Sequence, residues 1–80
     1  SAGAQATALD GPVVAPVPGK LVELNVASGD KVRAEQHVLT IEAMKMRHEV
    51  RATRDGTVGK VFKDVGVQVV EREPLLELDK

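Results

Sequence analysis

Eighty residues without a cysteine make one small domain near the lower limit for folding on apolar burial alone, and they exclude a disulfide frame or a thiolate metal centre. A net charge of −1, a single Phe and no Tyr or Trp leave neither a basic track nor a stacking platform for nucleic acid. No apolar run approaches the ~20 residues of a membrane-spanning helix.

Ser1 to Gly11 is small, nearly uncharged and without a sustained apolar face, so residues 1–11 are expected to be a flexible linker and residues 12–80 the folded domain. No signal or transit pattern is visible, which implies a cytoplasmic protein, or a mitochondrial matrix protein if the chain is a trimmed mature form. The apolar content is 14 Val and 7 Leu, branched residues that suit pleated, half-buried surfaces.

Turn signals divide the chain into short strands near Val13–Ala15, Lys20–Val26, Lys31–Arg33 and Val38–Ala43, then Glu49–Thr53, Thr57–Lys63, Val67–Val70 and Leu75–Asp79. Alternation is clearest in Val22, Leu24 and Val26, and in Leu39 and Ile41. The two sets of four are copies. A shift of 37 residues brings Ala15 onto Ala52, Gly19 onto Gly56, Gly29 onto Gly66, Val32 onto Val69 and Leu39 onto Leu76, with no gap. The shared glycines predict shared turns, some with positive φ, and the shared apolar positions predict shared core faces. Val32 to Val50 is rich in helix formers and could be drawn as an amphipathic helix, but its repeat mate contains Pro74, which costs about 3 kcal/mol inside a helix. The expected fold is therefore all-β: a flattened barrel or sandwich of two four-stranded antiparallel sheets related by a pseudo-two-fold axis.

Between the copies lies Glu42-Ala43-Met44-Lys45-Met46-Arg47-His48. The shift maps Glu42 onto Asp79, and Gly11 and Pro12 onto His48 and Glu49, so the link around Lys45 occupies the place that the chain ends occupy in the other copy. Lys45 is expected at an exposed hairpin tip on the far side from the tether. An ammonium there is a poor nucleophile until another protein desolvates and deprotonates it, which suits an acceptor in a partner's site better than a catalyst. Glu42, Arg47, His48 and Glu49 form a solvated recognition surface in this reading.

Ala43-Met44-Lys45-Met46 resembles the attachment sequence of biotin carrier domains, and the likeness covers roughly Pro12 to Asp79. The resemblance implies the pseudo-two-fold fold of biotinyl and lipoyl domains. It also implies that Lys45 is the residue biotinylated, through biotinyl-AMP, by a biotin protein ligase, with Met44 and Met46 flanking it for recognition and Ala43 and Glu42 completing the motif. Such a domain is not itself an enzyme. It shuttles carboxybiotin between a biotin carboxylase and a carboxyltransferase, and the isolated domain is expected to be monomeric. Lipoyl domains usually have Asp before and Ala after their lysine, so the methionine pair favours biotin over a lipoyl-type carrier. Some bacterial acetyl-CoA carboxylase carriers have an inserted thumb in their first half. The ungapped repeat has no room for one, and this chain looks more like the carrier domain at the C-terminal end of a larger acyl-CoA or pyruvate-type carboxylase, or of a related decarboxylase. A reading from a different class makes Met44, Met46 and His48 a soft copper site.

Overall fold

The computed structural model describes residues 11–80, so the expected linker lies outside the described residues except for Gly11. Eight strands follow in chain order: β1 (Val13–Val14), β2 (Gly19–Leu24), β3 (Lys31–Val32), β4 (His37–Ala43), β5 (Met46–Arg51), β6 (Gly56–Val61), β7 (Gln68–Val69) and β8 (Pro74–Asp79). They form two antiparallel sheets of four strands, ordered β1-β8-β6-β3 and β5-β4-β2-β7. The 37-residue shift turns one order into the other, strand for strand. Each sheet takes its central pair from one half of the chain and its flanking strands from the other half. The helix drawn through Val32–Val50 does not form; that segment is the end of β3, a turn at residues 33–36, β4, the link at Met44 and Lys45, and most of β5.

The duplication extends to individual hydrogen bonds. Ala52 N donates to Gln36 O at 2.8 Å, and Ala15 N to Glu73 O at 3.0 Å; Gly66 N donates to Leu21 O and Gly29 N to Val58 O, both at 2.7 Å. Even the unfavourable backbone is repeated, with Glu35 at φ 70 and Arg72 at φ 69. Equal turn geometry at 37-residue intervals follows from equal turn chemistry: Gln36 Oε1 accepts from Arg33 N, as Glu73 Oε1 does from Val70 N.

The core fills the space between the sheets. Seven repeat pairs are buried (Val13 with Val50, Ala15 with Ala52, Leu21 with Val58, Val32 with Val69, Val38 with Leu75, Leu39 with Leu76, Ile41 with Leu78), together with Val26, whose mate is Lys63. At about 1.5–3 kcal/mol for each large aliphatic side chain, this burial is what holds a domain without staples together.

Strand boundaries shift in three informative places. A bulge between Leu21 and Glu23 moves Val22 off the core side, so the inward residues of β2 are Leu21, opposite Ile41, and Leu24, opposite Leu39. The alternation expected of Val22, Leu24 and Val26 is therefore broken, because a bulge inserts one unpaired residue. Gly19 and Gly56 open strands instead of lying in turns, while Gly29 (φ 96) and Gly66 (φ 101) have the positive φ expected of turn glycines. At Gly19 and Gly56 the requirement is space: an added Cβ would stand 2.4 Å from Glu42 O and 2.3 Å from Asp79 O, respectively. Those contacts are themselves 37 residues apart, so the repeat register holds. Finally, β5 begins at Met46 and not near Glu49, which tightens the link around Lys45.

Candidate functional site

From Leu39 and Val50 onward β4 and β5 pair without interruption up to Ala43 and Met46, leaving a loop of two residues, Met44 and Lys45. Both have positive φ, 53 and 64, the signature of a type I′ hairpin turn. That turn usually takes Asn-Gly, because a Cβ in the left-handed region costs roughly 1–2 kcal/mol. Met44 and Lys45 hold the conformation because the ladder on both sides dictates it. Unfavourable backbone kept in this way concentrates at functional positions. Relieving it should stabilise the domain: Met44→Asn is expected to raise stability by about 1 kcal/mol in thermal or urea unfolding. An unchanged or lowered midpoint would mean that the turn carries no strain.

The tip projects away from the core. Met44 is 94% exposed and Met46 62%, so neither fills the interior. Lys45 is exposed, and among the described residues it makes no hydrogen bond or ion pair. Its amine is free to be taken into another protein's site. One ladder row at the base of the hairpin crosses the whole sheet as Gln68, Lys20, Glu42 and Arg47, all exposed. Arg47 and His48, expected in the link, belong to β5, where His48 is half-buried opposite Ile41. A shallow groove beside the tip is lined by Pro18, Lys20, Ala43, Met44, Lys45 and Gln68. The residues that sequence reasoning missed, Lys20 and Gln68, are brought there only by pairing across three strands.

A second missed feature braces the sheet that bears Lys45. Thr40, 2% exposed, donates from Oγ1 to Glu23 Oε1 at 2.8 Å and lies 2.7 Å from His37 Nε2, which therefore carries the hydrogen of that contact. This bridges β2 and β4 a short way below the tip. Burying a hydroxyl is tolerated because it is fully satisfied.

Gly11 and Pro12 share a groove with Asp79, and Asp79 is the repeat mate of Glu42 at the base of the hairpin. Lys45 and the chain ends thus occupy equivalent ends of the two-fold, as expected. Met46 and His48 lie two apart on β5 while Met44 is in the turn, and among the described residues no cluster of three His, Cys, Asp or Glu side chains is placed to hold a metal.

Residues 11–78 match the Biotin_lipoyl family, whose description is "Biotin-requiring enzyme". Over 70 residues the chain is 36% identical to the alpha subunit of mitochondrial methylcrotonoyl-CoA carboxylase from Mus musculus, covering 88% of this chain and 10% of that subunit. Over 68 residues it is 43% identical to the biotin carboxyl carrier protein of acetyl-CoA carboxylase from Solanum lycopersicum, covering 85% of this chain and 97% of that one. In structure it is similar to the urea carboxylase of Kluyveromyces lactis, with a TM-score of 0.78 and 30% identity over 84% of this chain and 6% of that one. The chain thus spans about a tenth of the length of the carboxylase subunit that it matches, and nearly the whole of the shorter carrier.

Proposed function

The chain belongs to the Biotin_lipoyl family of biotin-requiring enzymes and is a biotin carboxyl carrier domain; from that premise we propose that Lys45 is the residue to which its biotin is joined. One observation carries the assignment: Lys45 is the lysine at the apex of a two-residue hairpin, exposed and unpartnered, at the end of the domain equivalent to the one where the chain enters. The residues fit the group. An amide needs a free primary amine, and a prosthetic arm needs an apex from which to reach. Glu42, Ala43, Met44 and Met46 surround that apex and are the flanking residues that a partner enzyme meets.

Bound there, biotin supplies a ureido nitrogen that takes up and gives up a carboxyl group in the active sites of other proteins. The domain's own share is to hold the arm away from the core, keep it tethered, and so raise its effective concentration at those sites. The partners in this reading are a biotin protein ligase, a biotin carboxylase and a carboxyltransferase, with the domain monomeric by itself and acting inside a larger acyl-CoA or pyruvate-type carboxylase in the cytoplasm or the mitochondrial matrix. The relatives that support this are named for biotin and carboxylation, which favours biotin over lipoate and leaves the copper reading without support. Incubating the chain with a biotin protein ligase, ATP and biotin should add one biotinyl mass, mapping to Lys45. A lipoyl adduct, bound metal, or labelling elsewhere would overturn the assignment.

The methionines serve contact, not packing. Met44→Leu and Met46→Leu should each change stability by about 0.5 kcal/mol or less, since both side chains are exposed. Both variants should still be biotinylated, while carboxylase turnover falls in the assembled enzyme, because two further active sites must accept the same tip. A large drop in melting temperature would place the methionines in the core, and failed ligation with normal turnover would place their role at the ligase.

A further inference from the structure

The chain has no cysteine and two methionines, so a two-electron oxidant finds sulfur only at Met44 and Met46, one on each side of Lys45. Methionine is commonly a gap-filler in a core, where packing shields its sulfur. Here the buried core consists of Val, Leu, Ile and Ala alone. The left-handed backbone at Met44 and Lys45 turns the chain within two residues and leaves Met44 94% and Met46 62% exposed. All of the sulfur therefore stands in solvent at the attachment turn, and none of it supports the fold.

We propose that Met44 and Met46 are a reversible oxidation site for peroxides, and that the oxidised turn stays folded but is refused by the enzymes that must receive it. This rests on Lys45 being the attachment site. The sulfur lone pair attacks one peroxide oxygen, an S–O bond forms and the O–O bond breaks. The displaced oxygen takes up the proton left on the new sulfoxide and departs as water. Sulfur loses two electrons and the peroxide gains them.

Refusal follows from solvation. A thioether is apolar and flexible, so it passes from water into a protein contact at little cost. A sulfoxide oxygen accepts hydrogen bonds from water and forfeits them wherever the receiving surface offers no donor. Because the two methionines flank Lys45 directly, an enzyme that takes in the amine meets at least one of them. Return is equally accessible: methionine sulfoxide reductases, one class for each configuration at sulfur, reach exposed side chains without unfolding the domain.

The test treats the biotin-free chain with dilute hydrogen peroxide, quenches it, and only then offers it to a biotin protein ligase, so that biotin's own thioether never meets the oxidant. Intact mass should rise by two oxygens, which peptide mapping places on Met44 first and Met46 second, with the unfolding midpoint unchanged. Loading by the ligase, or carboxylation of the loaded chain by a biotin carboxylase with ATP and bicarbonate, should lose about tenfold or more in kcat/KM, the effect of burying one unsatisfied polar group. Reductases of both classes should restore it. In the Met44→Leu/Met46→Leu chain, peroxide should alter neither step relative to the same chain untreated. Treated and untreated chains within about twofold at both steps would overturn the oxidation site. So would a lowered unfolding midpoint, a loss that survives the reductases, or an equal loss in the double leucine chain. An untreated chain that takes no biotin on Lys45 overturns the attachment assignment as well, whereas normal loading and carboxylation before and after peroxide overturn the oxidation site alone.

Discussion

Lys45→Arg is expected to abolish biotinylation while the fold stays intact. Arginine keeps the positive charge and most of the aliphatic stem, but its guanidinium is never deprotonated at working pH and is not acylated. Because Lys45 is exposed and unpartnered, the change should alter stability by no more than about 0.5 kcal/mol. None of the other lysines shares its geometry. Lys20 and Lys60 lie within strands, Lys60 over the ring of Phe62 at 5.6 Å, and Lys63 pairs with Glu73. Intact mass and peptide mapping decide the matter: biotin on Lys20 or Lys60 of the Arg variant would sink the assignment.

The second large effect concerns Gly19 and Gly56. Alanine at Gly19 would put Cβ 2.4 Å from Glu42 O and 2.9 Å from Ile41 Cγ2, and alanine at Gly56 would put it 2.3 Å from Asp79 O. Both oxygens belong to the backbone of a paired strand and cannot rotate aside, so strands must separate. A cost of about 3 kcal/mol is expected for each, at the upper end for overpacking. At roughly 4–8 °C per kcal/mol this lowers the melting temperature by on the order of 12–24 °C in a domain of this size. The two differ in what else they disturb. Gly19→Ala displaces β4 at the base of the hairpin and should slow biotinylation even well below its melting point; Gly56→Ala acts at the other end and should not. Gly29 and Gly66 give the contrast, since a Cβ there meets nothing within 4 Å and only the positive φ is penalised, by about 1 kcal/mol. Thermal unfolding of the four variants checks the order, and Gly19→Ala within about 1 kcal/mol of the parent would refute the close-approach argument.

Much of this was legible in the sequence because the chain states its design twice. A single copy leaves the segment around Glu35 and Met44 open to a helical reading; the second copy, with Pro74 at the matching place, removes it. The same duplication places Lys45 opposite the chain ends. What stayed hidden depends on pairing between distant segments. The bulge at Val22 arises from how β2 registers on β4, and no local residue signals it. Gly19 looked like a turn residue because positive φ is the commoner reason for a glycine, whereas its actual constraint is a carbonyl contributed 23 positions later by Glu42. Lys20 and Gln68 join the site only through two ladders. The buried Thr40 likewise depends on Glu23 and His37 arriving from neighbouring positions on two strands.

The exchange of strands between halves has a mechanical consequence. A central pair from one half has no sheet until the other half supplies its edges, so neither half is a foldon that could open alone. The ladder beneath the attachment turn joins the two halves, β4 from the first and β5 from the second, so opening it pulls the halves apart. A carrier built this way moves as a rigid body, and at the attachment end its compliance is confined to the lysine side chain.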